Sequence, residues 1–335
     1  MSATKLSQLF TERLGSILVR NSVPAATVTT FAVGGVISTL VEPTNIDELS
    51  ELLRLLRNVG VNYKILGAGS NLVIREGAFD HVVIRLSRSF SKISFHFDEV
   101  SISDLNARCV SDEREVAPEL KAGAAIGVLA LGATPLMSLS RKLTELGITG
   151  LEFAAGIPAS VGGAVRMNAG AHQEELASVV RAVFIVDEDG NLQKLPRTGL
   201  DFSYRKSNIG SSAVVVGVEL ALVQGDSQLT RAKRTTCLQN RSETQPLHLP
   251  SAGSVFVNPD SLTQKDSPAA GWLLEQVGLK GVERGGVRYS ELHANWLVKV
   301  SDRATAADVI ALIDEGKERV GTRFGIELRP EIIIW

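Results

Sequence analysis

The chain has 335 residues, 44% of them hydrophobic and 21% charged, with a formal net charge of −2. Single cores rarely grow beyond about 250–300 residues, so this length predicts about two domains or subdomains. The near-neutral balance excludes a basic nucleic-acid footprint, so an anionic ligand has to be met by local arginines, lysines or backbone N–H groups. The two cysteines, Cys109 and Cys237, lie far apart outside any C-x-x-C pattern and read as free thiols in a reducing compartment. The five histidines lack metal-ligand spacing, so no metal is expected. No apolar run reaches transmembrane length, and no membrane partner is expected.

In chain order, MSATKLSQLFTERLGSILVR puts Leu6, Leu9, Phe10, Leu14, Ile17 and Leu18 on a helical period, predicting an N-terminal helix within residues 1–25. Glu12 and Arg13 interrupt it, so the stretch lacks the apolar centre of a signal peptide, and a cytoplasmic location is the default. Residues 27–42 read as a turn at Gly34-Gly35 followed by a strand. Thr44 precedes Ile46, Leu49, Leu52, Leu53, Leu56 and Val59, with Gly60 after them: a cap, an amphipathic face and a stop. Strands are predicted at 61–66 and 81–86, giving a β-α-β unit. Residues 90–119 alternate like edge strands and then carry the acidic run Asp112–Glu115, read as a solvated loop.

A helix fits Pro135–Leu146, stopped by Gly147. Strands follow at 179–186 and 213–222, with a hairpin turn at Asp189-Gly190. Gln224-Gly225-Asp226 is the best domain boundary. Beyond it helices fit about 228–243, from Ser267-Pro268 with Trp272, Leu273, Leu274 and Val277 inward, and 304–320; residues 327–335 end as a strand. Both halves are α+β with mixed sheets. Nothing suggests a coiled coil or an assembly surface, and a monomer is the expectation.

Two stretches carry chemistry. KILGAGSNL (residues 64–72) runs from an apolar strand into Gly67, Ala68, Gly69, Ser70 and Asn71. It lacks the third glycine of a Rossmann fingerprint and the Gly-Lys-Ser/Thr of a Walker loop. Consecutive N–H groups with a hydroxyl form an anion-binding concavity. GITGLEFAAGIPASVGGAVRMNAGA (147–171) is dense in glycine and alanine and nearly uncharged, which lets backbone approach something large and flat. Two such turns suit a dinucleotide pyrophosphate contacted from two sides.

GAGSN (67–71), GLEFAAGIPASVGGAVRMNAGA (150–171), SYRKS (203–207), SAGSVFVNP (251–259), HANWLVK (293–299) and LRPEI (328–332) occur in order. Together they closely resemble the UDP-N-acetylenolpyruvoylglucosamine reductase family, the UDP-N-acetylmuramate dehydrogenases of bacterial peptidoglycan synthesis. The resemblance spans about residues 28–335. It implies an FAD-binding fold of the vanillyl-alcohol oxidase type at 26–225 (subdomains about 26–88 and 89–225), followed by a smaller α+β substrate domain at 226–335. It implies non-covalent FAD, with NADPH as hydride donor to flavin N5 and UDP-N-acetylglucosamine enolpyruvate as the small-molecule substrate. Gly67–Asn71 then hold the FAD pyrophosphate. Gly156, Ile157, Pro158, Val161, Gly162, Gly163 and Ala164 line the flavin from the other side. Met167, Asn168, Ala169 and Gly170 lie near the isoalloxazine.

The implied reaction places hydride on the enolpyruvyl CH2, pushes charge onto the carboxylate and requires a proton at the adjacent carbon. By motif position Arg205 faces that carboxylate with a planar, always-charged fork. Glu331, among Ile332–Ile334, is expected to be protonated through burial and to donate a hydrogen bond. Ser254 is the proton donor. Read without the resemblance, the three are a strand-end arginine, an outward glutamate and a turn serine. Tyr204, Asn258, Arg241 and Gln245 are candidate substrate ligands, with Lys280, Arg284 or Arg288 as further cations.

The chain departs from the family pattern at Val257, where lysine is usual, and at His172-Gln173, where many members carry an aromatic and a glycine. It also lacks an evident tyrosine-bearing loop between Gln224 and Ser251, and 90–119 reads as a surface insertion. The alternatives are another FAD oxidase of the same fold, or a flavin- or nucleotide-binding relative without activity. SAGSVFVNP and Pro330-Glu331 argue against the first; intact Arg205, Ser254 and Glu331 argue against the second.

Overall fold

A computed structural model describes residues 3–15, 17–105, 121–259 and 268–335. Cys109 and the acidic run at 112–115 lie outside these. The chain divides into two compact units: Met1–Asn21, Ser38–Ala68 and Asp80–Gln239 form the first, and Ser22–Ile37, Gly69–Phe79 and Asn240–Trp335 the second. The division at 239/240 falls inside the helix Ser227–Thr244, later than the Gln224–Asp226 loop singled out by sequence.

In the first unit the helix Ala3–Leu14 buries Leu6, Phe10 and Leu14. It ends there, short of residue 25, because Gly15 takes φ +62°, a left-handed value that closes helices. Leu18–Pro24 is a strand, with Ile17 buried and Leu18 52% exposed, so the helical period does not continue through them. A four-stranded sheet follows the order Leu18–Pro24, Val36–Glu42, Ala78–Ile84, Tyr63–Ile65, the last pair parallel. The helix Ile46–Asn58 makes the β-α-β connection and buries Ile46, Leu49, Leu52, Leu53 and Leu56. Its cap is Asn45, not Thr44: Asn45 Oδ1 accepts from the Glu48 N–H at 2.8 Å, while the Thr44 N–H and hydroxyl donate to the Glu48 carboxylate.

The larger sheet of this unit is antiparallel. Its order is Leu192–Pro196, Val180–Val186, Val214–Gln224, Ala125–Leu131, Ile93–His96, with Ile148–Thr149 also paired to Val214–Gln224. Alternation sends Val128, Val183, Val218 and Leu220 to one core with Leu139, Leu143, Phe153 and Val161. Leu129, Phe184, Val214 and Val216 go to another with Phe10, Leu49, Leu52 and Phe90. Burial on both faces is why these strands read as nearly continuous apolar runs.

The second unit has a four-stranded antiparallel sheet in the order Ser251–Ser254, Trp296–Lys299, Val287–Tyr289, Glu283–Arg284. Helix Ala306–Phe324 covers it, opened by a capping box between Thr305 and Asp308 and closed by Gly325 at φ +67°. Tyr289 is fully buried, donates its phenol to Leu312 O at 2.8 Å, and has its pKa pushed well up by burial. A Cβ at Gly316 would stand 2.5 Å from that phenol oxygen, so only glycine fits beneath it. The preceding helix is Ala270–Gln276, beginning after Pro268 rather than at it; Ser267 lies outside the described residues. Leu273 and Leu274 point inward, but Trp272 is 48% exposed and packs against Phe324. Within residues 327–335 the only named strand among the described residues is Ile333–Ile334, parallel to Leu72–Val73, and Pro330 adds an isolated antiparallel bridge to Phe256.

One polar group stands apart in the larger sheet. Glu219 is wholly buried, 3.4 Å from both Arg181 Nη1 and Lys194 Nζ, while Arg181 Nη2 and Lys194 Nζ each lie 3.6 Å from Glu99. The register slips between Val180 and Ala182, placing Arg181 at a bulge that re-aims its side chain. Removing one partner of a buried ion pair costs about 3–5 kcal/mol. Because Arg181 and Lys194 keep partial access to water, Glu219→Ala is expected at the lower end, about 3 kcal/mol less stable in urea unfolding. Glu99→Ala should change stability by less than about 1 kcal/mol, since Glu99 is exposed.

Candidate active site

Leu66 closes its strand by donating to Ile84 O, and the chain then turns. The N–H groups of Gly67, Ala68, Gly69, Ser70 and Asn71 find no acceptor among the described residues. Gly67 and Ala68 are exposed, Gly69 is buried, and Ser70 and Asn71 are half-buried; a run of donors of this kind is a candidate anion cradle. The peptide is continuous, its first two residues counted with the first unit and its last three with the second.

In the first unit, a Cβ on Gly67 would sit 2.8 Å from Ser160 Oγ. Ser160 caps the short helix Val161–Arg166 by accepting from Gly163 N–H at 3.2 Å. The second glycine tract behaves differently from the first. The N–H groups of Ile157, Ala159, Val161, Gly162, Gly163 and Ala164 all bond within this unit. At Gly162 a Cβ would approach Gly132 O and Val215 O to 3.1 Å, so this tract is small in order to lie on backbone. It offers a flat surface rather than a row of donors.

Asn168 is fully buried at φ +42°, donating to Ser203 O at 3.1 Å and accepting from Ala177 N–H at 3.0 Å. Its side chain is thus a clasp between two loops. Ser203 opens the tight hairpin of strands Phe202–Ser203 and Lys206–Ser207, whose two-residue turn is Tyr204-Arg205. Arg205 takes φ +58°, donates from Nη2 to Gly170 O at 3.2 Å, and lies 4.9 Å above the Tyr204 ring. Gly170 belongs to a second small hairpin, Gly170–Ala171 with Glu174–Glu175, whose turn is His172-Gln173 with both φ values positive (55° and 64°). A Cβ at Gly170 would stand 2.5 Å from Glu174 O.

In the second unit, Gly69 takes φ +67°, and a Cβ there would lie 2.2 Å from Val28 O; its own carbonyl accepts from Thr30 N–H. Ser254 ends the strand Ser251–Ser254 after Gly253 at φ +78°. Glu331 N–H donates to Val255 O at 2.8 Å and Val257 N–H to Arg329 O at 3.0 Å, bringing Ser254 and Glu331 into neighbouring segments. Both are half-buried. Asn71 Nδ2 donates to Glu331 O at 3.0 Å, and Ile333 N–H donates to Asn71 O. The Asn71 amide thus ties the glycine turn to the segment bearing Glu331. Asn258 Oδ1 accepts from Ala270 N–H, fixing the start of that helix. Arg241 is buried, and Gln245 Oε1 is buried without a hydrogen-bond partner among the described residues, an atom that awaits a donor. Lys280 pairs with Glu275 and Arg288 with Glu291.

Sequence reading missed three anchors. Arg166 is half-buried and donates to the carbonyls of Ile209, Gly210 and Ala213, and partial burial lowers its pKa. Asn295 holds the Ser254 strand by a two-way bond with Phe256, donating to its carbonyl and accepting from its N–H. Ser160 had a signal, a serine three residues before the glycine whose N–H it caps; Arg166 had none.

Comparison with known proteins shows the family and the fold. The profile of the UDP-N-acetylenolpyruvoylglucosamine reductase C-terminal domain matches residues 245–335, and that of an FAD binding domain matches 25–110 and 115–196. The UDP-N-acetylenolpyruvoylglucosamine reductase of Syntrophus aciditrophicus is 38% identical over 93% of this chain and 90% of its own length. That of Alkaliphilus oremlandii is 34% identical over 100% and 99%. The crystal structure of UDP-N-acetylenolpyruvylglucosamine reductase from Thermus caldophilus superposes with a TM-score of 0.73 at 29% identity, covering 95% of this chain and 99% of that one.

The His172-Gln173 turn carries a testable cost. Each non-glycine residue in the left-handed region costs about 1–2 kcal/mol. Hairpin turns with two positive φ values favour glycine at the second position. Gln173→Gly is therefore expected to stabilise the protein by about 1 kcal/mol in urea unfolding, after the entropy that glycine loses on folding is offset.

Proposed function

Because the chain belongs to the UDP-N-acetylenolpyruvoylglucosamine reductase family, we propose that it reduces UDP-N-acetylglucosamine enolpyruvate to UDP-N-acetylmuramate for peptidoglycan synthesis, with NADPH as hydride donor. The chain is an FAD-dependent oxidoreductase. FAD, when bound, relays two electrons from the nicotinamide to the enolpyruvyl CH2. The observation that carries our assignment of roles is the pair of backbone bonds, Glu331 N–H to Val255 O and Val257 N–H to Arg329 O, that joins the segment following Ser254 to the one bearing Glu331.

The chain's own groups fit the cofactor. The donors of Gly67–Asn71 suit a pyrophosphate, and the small surface of Gly156–Ala164 and Ala169–Gly170 suits a flat ring. Arg205 binds the substrate carboxylate, with the Tyr204 ring and Gly170 carbonyl orienting its fork. As electron density moves onto the carboxylate, that fixed positive charge becomes more favourable. Glu331 supplies a second hydrogen bond to the same group. Ser254 delivers a proton to the carbon next to the one reduced, where the developing carbanion is basic enough to take it from a hydroxyl. Gln245 and Arg241, together with the Asn258 amide and Tyr204, hold the nucleotide sugar.

Anaerobic visible spectroscopy separates the two half-reactions. Wild-type protein is expected to be yellow, to bleach with NADPH and to recover only when the enolpyruvyl sugar is added. In Ser254→Ala the bleaching rate should stay within about twofold while recovery slows about 10²–10⁴-fold. Unchanged recovery would remove Ser254 from the proton-donor role. A colourless protein that takes up no FAD would overturn the reading of the glycine turn.

A further inference from the structure

Arg205 does not stand on its own hairpin alone. Its turn is tied at two points to the loop before it: Asn168 grips Ser203 O, and Gly170 O accepts from the guanidinium. Gly170 is in turn one strand of the hairpin closed by His172 and Gln173, both in the left-handed region. Such a hairpin persists only where its surroundings hold it, because its own turn is unfavourable by about 1–2 kcal/mol per residue.

A tie from outside the hairpin reaches Glu174. Lys233, on the helix Ser227–Thr244, places Nζ 2.7 Å from Glu174 Oε1 and 3.5 Å from Glu152 Oε2. Glu152 is 1% exposed and itself fixed, accepting from Thr149 Oγ1 at 2.6 Å and Gly150 N–H at 3.0 Å. The lysine therefore links an immobile buried carboxylate to a carboxylate on the strained hairpin. Partial burial disfavours its charge, yet the bond to Glu174 and the fields of Glu152 and Glu174 outweigh this and raise its pKa.

We propose that Lys233 is a positioning residue for Arg205: by pulling Glu174 toward Glu152 it fixes the Gly170–Glu175 hairpin, and with it the carbonyl that aims the guanidinium at the substrate carboxylate. The proposal rests on the carboxylate role given to Arg205 above. A lysine that only fastened its helix to the unit would leave the recognition of one particular substrate group untouched. A displaced guanidinium weakens only the ligand that carries a carboxylate, and small displacements of a positioning contact are costly.

The test is a pair of affinities, measured by calorimetry on the oxidised FAD-loaded protein. The two ligands are UDP-N-acetylglucosamine enolpyruvate and UDP-N-acetylglucosamine, which lacks the carboxylate. Lys233→Met is expected to reduce the advantage of the enolpyruvyl ligand about tenfold while the affinity for UDP-N-acetylglucosamine stays within about twofold. Glu174→Gln should do the same, the double variant should be no worse than either single one, and Lys233→Arg should restore most of the advantage. If Lys233→Met leaves the advantage unchanged, or weakens both ligands equally, the proposal is overturned. Arg205→Lys serves as the control. If it reduces the advantage and Lys233→Met does not, only the proposal falls. If Arg205→Lys also has no effect, the carboxylate role of Arg205 falls first and takes the proposal with it.

Discussion

Room for a single methyl group governs this molecule. At Gly69 a Cβ would press to 2.2 Å on Val28 O, and at Gly67 it would meet Ser160 Oγ. Because those positions carry none, the chain can turn tightly here, and the N–H groups of residues 67–71 find no acceptor among the described residues. Elsewhere the same economy of size has the opposite result. Gly162 is small so that its helix can lie on the backbone of Val215 and Gly132, and its N–H is consumed in doing so. One glycine tract is built to offer hydrogen bonds, the other to offer closeness.

The groups assigned to chemistry are held mostly through main chain. Ser254 and Glu331 are set by bonds from Glu331 N–H and Val257 N–H, with Asn295 bracing Phe256 from the other side. Asn71 reaches from the glycine turn to Glu331 O. Substituting a side chain there changes one role without dissolving the arrangement, because the arrangement resides in backbone hydrogen bonds. Arg205 is the exception. Arg205 itself sits at a left-handed φ in its turn, and besides the Gly170 carbonyl its aim depends on side-chain contacts: a tyrosine ring below it and, further off, the Glu174–Lys233 pair.

Much of this could be read from residue order alone. The apolar spacing of Ile46–Leu56 fixes a helix because burial repeats with the helical period, and the short, nearly continuous apolar runs at 180–186 and 214–224 fix strands buried on both faces. The family could be recognised because its motifs are strings of glycines and small polar residues whose packing tolerates few alternatives. What could not be read depends on which atoms meet across long stretches. Nothing in RMNAG announces that Arg166 will bind three carbonyls some forty residues later. Nothing around Lys233 marks it as the partner of two glutamates from separate loops. Leu18 and Trp272 sit on helical periods yet face outward, since a glycine ends one helix early and Phe324 covers the other residue at the surface.

The parallel pairing of Leu72–Val73 with Ile333–Ile334 has a consequence for synthesis. Domains tend to fold in order as the chain emerges, at about 5–20 residues per second. The first unit has all its segments once residue 239 has appeared, but the second waits for its last strand. The glycine turn is made early, yet its clasp through Asn71 to Glu331 cannot close until the chain has been translated some 260 residues further, roughly tens of seconds later. A ribosome-bound chain thus holds the glycine turn while its Asn71 amide still has no Glu331 carbonyl to bond, so this clasp is among the last contacts of the second unit to form.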